Sequence, residues 1–93
     1  MPRYMVERLF VVGQDRMDSA GKRSREIIED RYPTIVWEHS HVAVDDDGRV
    51  RTFCLYEAGN EDEIREHARE LGLHEIIRVD EIVGDVTPAD FPA

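Results

Sequence analysis

Four side chains carry most of the chemistry this 93-residue sequence can offer: His39 and His41, two positions apart, Cys54 further along, and Glu7 near the start. On an extended chain an H-x-H pair puts both imidazoles on one side, with Cβ atoms about 6–7 Å apart. Both rings can then lean onto one ion at roughly 2.1 Å. Imidazole with thiolate suits nickel, zinc, copper or cobalt rather than magnesium or calcium. The competing reading makes Trp37, His39, His41 and Tyr56 an amphipathic surface for a second copy, since histidine and tyrosine tolerate half-burial. Cys54 alone reads first as a small buried hydrophobe. Glu7 and Arg8 interrupt an apolar run, which reads either as a buried or edge ion pair or as Glu7 being a carboxylate that ligates or orients a histidine. His67 borders an apolar helical stripe and reads as structural, and His74 falls in a loop. Asp45-Asp46-Asp47-Gly48 lacks the spacing and terminal glutamate of a calcium loop. No nucleophile with a partnered base and no phosphate-cradling glycine loop is present.

The stretch Thr34 to Glu57 must position His39, His41 and Cys54, three of the four. Its β-branched and aromatic residues predict two strands, and Asp47-Gly48 predicts the turn between them. A two-residue loop sets His41 opposite Cys54 and His39 opposite Tyr56. A four-residue loop sets His39 opposite Cys54 and His41 opposite Thr52. Either register puts two imidazoles and a thiol on one face.

Around this hairpin the sequence predicts a strand over Arg3 to Val12, apolar on both faces. A helix follows over Met17 to Arg31, with Asp18 or Ser19 as cap and Ala20, Ile27 and Ile28 inside. A second helix opens at Asn60 or Glu61 with Ile64, Ala68 and Leu71 as its buried stripe and Gly72 at its end. A last strand covers Glu75 to Val83. The order predicts an α+β, ferredoxin-like βαββαβ sandwich with antiparallel sheet order 4-1-3-2. It forms a single domain, with a core over about 3–84 and a C-terminal tail at 85–93. Two helices cover one sheet face. The other, expected to carry Trp37, Tyr56 and Tyr4 or Met5, is too apolar to stay wet, which predicts a homodimer.

A formal charge of −9, from 21 acidic against 12 basic residues, argues against nucleic acid and anionic membranes as partners. One cysteine excludes an internal disulfide and fits a reducing cytoplasm. The N-terminus spaces charges through its apolar residues, unlike a secretory or spanning segment.

Several runs together resemble a known family: V-E-R at Val6 to Arg8, W-E-H-S-H-V at Trp37 to Val42, T-F-C-L-Y-E-A at Thr52 to Ala58, and I-R-E-H-A-R-E-L-G-L at Ile64 to Leu73 with Glu61 and Glu63 before it. They are similar to the small nickel-binding ferredoxin-like proteins, a group otherwise classed as a domain of unknown function. The similarity covers roughly residues 3 to 84. It implies a dimeric α/β sandwich able to bind nickel, with no established reaction. His41 replaces an aromatic of that pattern and His74 replaces a proline.

The sequence therefore points to a soluble nickel-binding homodimer serving sequestration or delivery, with His39, His41, Cys54 and Glu7 as candidate ligands. The alternative is a small enzyme, monooxygenase- or isomerase-like, with His39 or His41 as base and Arg8 clamping an anion. Histidines facing an enclosed cavity would favour the enzyme; histidines at a solvent-reachable seam would favour the metal.

Overall fold

A computed structural model describes residues 1–92; Ala93, the end of the expected tail, lies outside the described residues. The elements are β1 (Arg3–Phe10), α1 (Met17–Arg31), β2 (Val36–Val44), β3 (Val50–Glu57), α2 (Glu61–Leu71) and β4 (His74–Ile82). All strand pairs are antiparallel in the order β2-β3-β1-β4, the expected order read from the other edge. This α+β topology fits the ferredoxin-like class.

Local chemistry accounts for the helices. The Asn60 side chain accepts the Glu63 amide at 3.0 Å and caps α2. Glu61, Asp62 and Glu63 load its first turn, where the helix dipole favours acids. Gly72, at φ 67°, ends the helix in a conformation a Cβ would penalise. The buried stripe is Ile64, His67, Ala68 and Leu71. In α1 neither Asp18 nor Ser19 caps: a 3-10 turn over Gln14–Arg16 runs straight into the helix, and Arg16 takes the cap position without a side-chain bond. Ala20, Ser24 and Ile28 are buried, and Ile27 is only half-buried.

Both helices pack on one sheet face. Tyr4, Val6, Cys54 and Tyr56 meet Ile28, Ile35, Ala58 and Ile64 there, and Phe10 and Val50 meet Ala20. Within one chain β1 is therefore covered on one side only, not on both as its composition suggests. Met5 and Leu9 of β1 and Phe53 and Leu55 of β3 lie on the open face, exposed or half-buried.

The hairpin differs from both expected registers. Asp45 Oδ1 accepts the amides of Asp47 at 3.0 Å and Arg49 at 2.9 Å, and Gly48 turns the chain at φ 78°. The loop is thus Asp46-Asp47-Gly48, three residues long, closed by Asp45 N–H donating to Arg49 C=O at 3.0 Å. An odd loop pairs odd positions with odd: His41 opposes Phe53, Ser40 opposes Cys54 and His39 opposes Leu55. A one-residue slip moves every side chain to the other face. A bulge at Glu38 then shifts the register again, so Trp37 opposes Tyr56. Trp37, Tyr56 and Tyr4 consequently sit under the helices, and the open face takes its apolar character from other residues.

Candidate functional site

On β2, an edge strand, His39 and His41 are exposed on the open face. Their rings meet edge-on with centroids 5.2 Å apart. The bulge beneath them is pinned by Arg3, whose Nε and Nη2 donate to the Glu38 carboxylate at 2.8 and 3.0 Å. Arg3 Nη1 also holds Asp85 of the tail at 2.6 Å. The Arg3 bond keeps the Glu38 carboxyl below the usual carboxylate range.

Glu7 shares this face. It lies opposite Phe53, which in turn lies opposite His41, so Phe53 stands between carboxylate and imidazole. Glu7 Oε2 accepts from Arg51 Nη1 at 2.6 Å. An ion pair at Glu7 is thus present with Arg51 as its partner, while Arg8 follows Glu7 by one residue and faces the helices. The expected grouping of His39, His41 and Cys54 is also corrected. Cys54 points to the covered face, 3% exposed, for the register reason given above. Among the described residues no three His, Cys, Asp or Glu side chains converge. One chain therefore presents a pair of imidazole donors, which suits a borderline divalent ion but leaves its other coordination positions to be filled from outside that chain.

The covered face holds a different constellation, only partly legible in the sequence. Arg8 alternates with Val6 and Phe10, and this alternation is the signal that it turns inward. It is 2% exposed, and Nη1 donates to Tyr56 Oη at 2.8 Å, with Cys54 Sγ 3.5 Å from the same nitrogen. Its Cζ stands 5.3 Å from the Tyr56 ring centroid. Nε and Nη2 have no hydrogen-bond partner among the described residues. Between α1 and the sheet lies a cavity of about 380 Å³, lined by Arg8, Phe10, Ser24, Trp37, Thr52 and Cys54 among others.

Neighbouring groups are held uncharged. Burial, then the Arg8 charge, lowers the His67 pKa to about 4. Its Nε2 lies 3.0 Å from Ser24 Oγ, a bond that ties α2 to α1, and Tyr32 and Tyr56 pack edge-on against its ring. Burial raises the Tyr56 phenol well above its ordinary value. His74 begins β4 half-buried rather than lying in an exposed loop. Its Nδ1 donates to Gly72 C=O at 2.7 Å, and burial lowers its pKa.

A family model described as "Nickel responsive protein SCO4226-like" matches residues 4–82. No curated protein matches the chain significantly. Among solved structures, the C-terminal domain of the MgtC protein from Mycobacterium tuberculosis is similar at 13% identity and a TM-score of 0.61, covering 90% of this chain and 88% of that one. At that identity the likeness speaks to fold alone. Among the described residues no helix is long and apolar enough to cross a membrane.

Proposed function

We propose that this chain, which belongs to the SCO4226-like family of nickel responsive proteins, binds nickel itself and serves its sequestration or delivery. The observation that carries the reading is the His39–His41 pair, two exposed imidazoles with centroids 5.2 Å apart on the open face of an edge strand. His39 and His41 are the proposed ligands. Glu7 is engaged by Arg51 and Cys54 faces away, so neither joins them. When bound, the ion would complete its coordination with water or with donors of a second copy.

A ferredoxin-like homodimer is the assembly that suits this reading. Met5, Leu9, Phe53 and Leu55 form an apolar strip on the central strands, and a second copy laid on it removes that area from water. His39 and His41 border the strip. The enzyme alternative needs a histidine base enclosed in the cavity, whereas His39 and His41 are both exposed and only His39 borders its rim.

Metal analysis tests the proposal. Untagged protein is exposed to nickel and passed through a gel-filtration column; the parent should retain nickel, and His39→Ala with His41→Ala should lose it with the fold intact. Single substitutions should each weaken binding at least tenfold, about 1.4 kcal/mol. Unchanged nickel retention in the double variant would sink the assignment.

A further inference from the structure

Arg8 is a charge the fold buries without neutralising. A guanidinium keeps its proton at any physiological pH, so it cannot relieve its burial as the adjacent His67 does. Among the described residues no carboxylate reaches it. The two acids on the cavity lining, Asp18 and Glu38, are exposed, and Glu38 is already bound by Arg3. Tyr56 and Cys54 share Nη1, and Nε and Nη2 are buried without a hydrogen-bond partner among the described residues. The Nε–Nη2 edge presents two parallel N–H donors, the fork that matches a carboxylate.

We propose that the cavity between α1 and the sheet binds a small organic acid, with its carboxylate on Arg8 Nε and Nη2 and its apolar body against Phe10, Ala20, Trp37 and Leu71. The volume of about 380 Å³ is of the size small-molecule sites occupy. Arg8 contributes one positive charge and its neighbours His67 and Tyr56 contribute none, which selects a monoanion. Apolar walls select a carboxylic acid with a hydrophobic body over inorganic phosphate. The same charge repels a divalent cation, so the acid and a nickel ion do not compete for one position, although His39 also lines the rim of the cavity. The proposal does not depend on the nickel reading.

Trp37 is the only tryptophan and lines the cavity, so its fluorescence reports occupancy. Nickel-free protein is titrated with acetate, hexanoate, benzoate and phenylacetate, and with benzamide as the uncharged isostere of benzoate. The expected result is saturable quenching or enhancement by the larger acids, with benzamide at least tenfold weaker. Arg8→Met should abolish the response and Arg8→Lys should weaken it, while His41→Ala, at a residue that does not line the cavity, binds like the parent. Amide chemical shifts of the parent should move at Thr52, Cys54 and Ser24. If Arg8→Met does not fold, the benzoate–benzamide contrast and the shift map on the parent decide alone. Equal binding of benzamide and benzoate, shifts confined to the open face, or no saturable response from any acid up to about 10 mM would overturn the proposal.

Discussion

The two faces of this sheet are one residue apart in sequence and opposite in chemistry. Glu7 meets Arg51 on the open face, while Arg8 lies under the helices with no carboxylate. His41 is exposed, while Ser40 before it faces Trp37 at 2.9 Å on the covered side. Burial fixes the charge states of the covered face: a permanent cation, a neutral imidazole and a protonated phenol. On the open face the histidines keep contact with water and can exchange protons or ions. Strand alternation thus separates a place suited to a cation from one suited to an anion with a single backbone layer between them. The lesson is that the parity of one hairpin loop decides which chemistry is possible, because it sets the face on which every side chain of β2 lies.

The largest expected effect would break the open face. Phe53→Glu puts a carboxylate at the centre of the proposed seam, beside Glu7 and opposite His41, and leaves the cavity side untouched. A charge buried unpaired in an interface costs several kcal/mol, so the dimer dissociation constant should rise at least a hundredfold. Light scattering should then give a dimer mass for the parent at micromolar concentration and 10.8 kDa for the variant. A monomeric parent would remove the seam and leave the open face solvated.

The covered face is tested through His67. Its folded pKa of about 4 lies below the ordinary value near 6.5, so the unfolded chain binds more protons between these values. His67 therefore contributes stability above about pH 6.5 that is lost as pH falls toward 4, on the order of 2–3 kcal/mol across the window. Urea unfolding at pH 7 and pH 4.5 should show this loss, and His67→Gln should shrink it. A variant with the parent's full pH dependence would mean that carboxylates, not the buried imidazole, set acid stability. Nickel uptake should also fall on acidification, for a different reason, because imidazole must be deprotonated to ligate. The two effects separate because the first persists without metal.

Much of the fold was legible in the sequence, because it is written in local signals. The Asn60 cap, the Gly72 stop and the Ile64–Ala68–Leu71 stripe fixed α2, and element order with handedness fixed the strand order. The hairpin register was not legible, because β3 is apolar on both faces. Cys54 and Tyr56 alternate with Phe53 and Leu55, and either set could have faced the core. What distinguished them was Asp45, whose side chain closes a three-residue loop, and the change of apolar parity within β2 from Trp37 to Val42 and Val44, which marks the bulge. Arg8 shows a further limit. Alternation placed it inward, but its lack of a partner depends on which side chains α1 and α2 bring over it, and those are set only by tertiary packing.

Arg8→Met sharpens the contrast with a gain instead of a loss. Replacing a buried charge that lacks a carboxylate by an apolar chain of similar length is often neutral or favourable. The variant should unfold about 1–2 kcal/mol later in urea while nickel retention stays at the parent level. The rise would identify Arg8 as a residue whose cost to stability is offset by function. A loss of several kcal/mol would mean instead that the Tyr56 and Cys54 contacts hold the face together.

The smallest expected effect concerns Glu7. It is the acid the sequence offered as a ligand, two strands from His41, yet it is bound to Arg51 with Phe53 between. The pair is only partly shielded, with side chains 17% and 36% exposed, and ion pairs of that kind contribute about 0–1 kcal/mol. Glu7→Gln keeps the shape and removes the charge, so unfolding should shift by less than about 1 kcal/mol. Nickel affinity should change less than about twofold, well under the tenfold step of 1.4 kcal/mol expected when a ligand is lost. Titration calorimetry on the variant gives the answer directly. A tenfold or greater loss with the dimer intact would show that Glu7 leaves Arg51 to ligate, and the open face would then hold a carboxylate as well as two imidazoles.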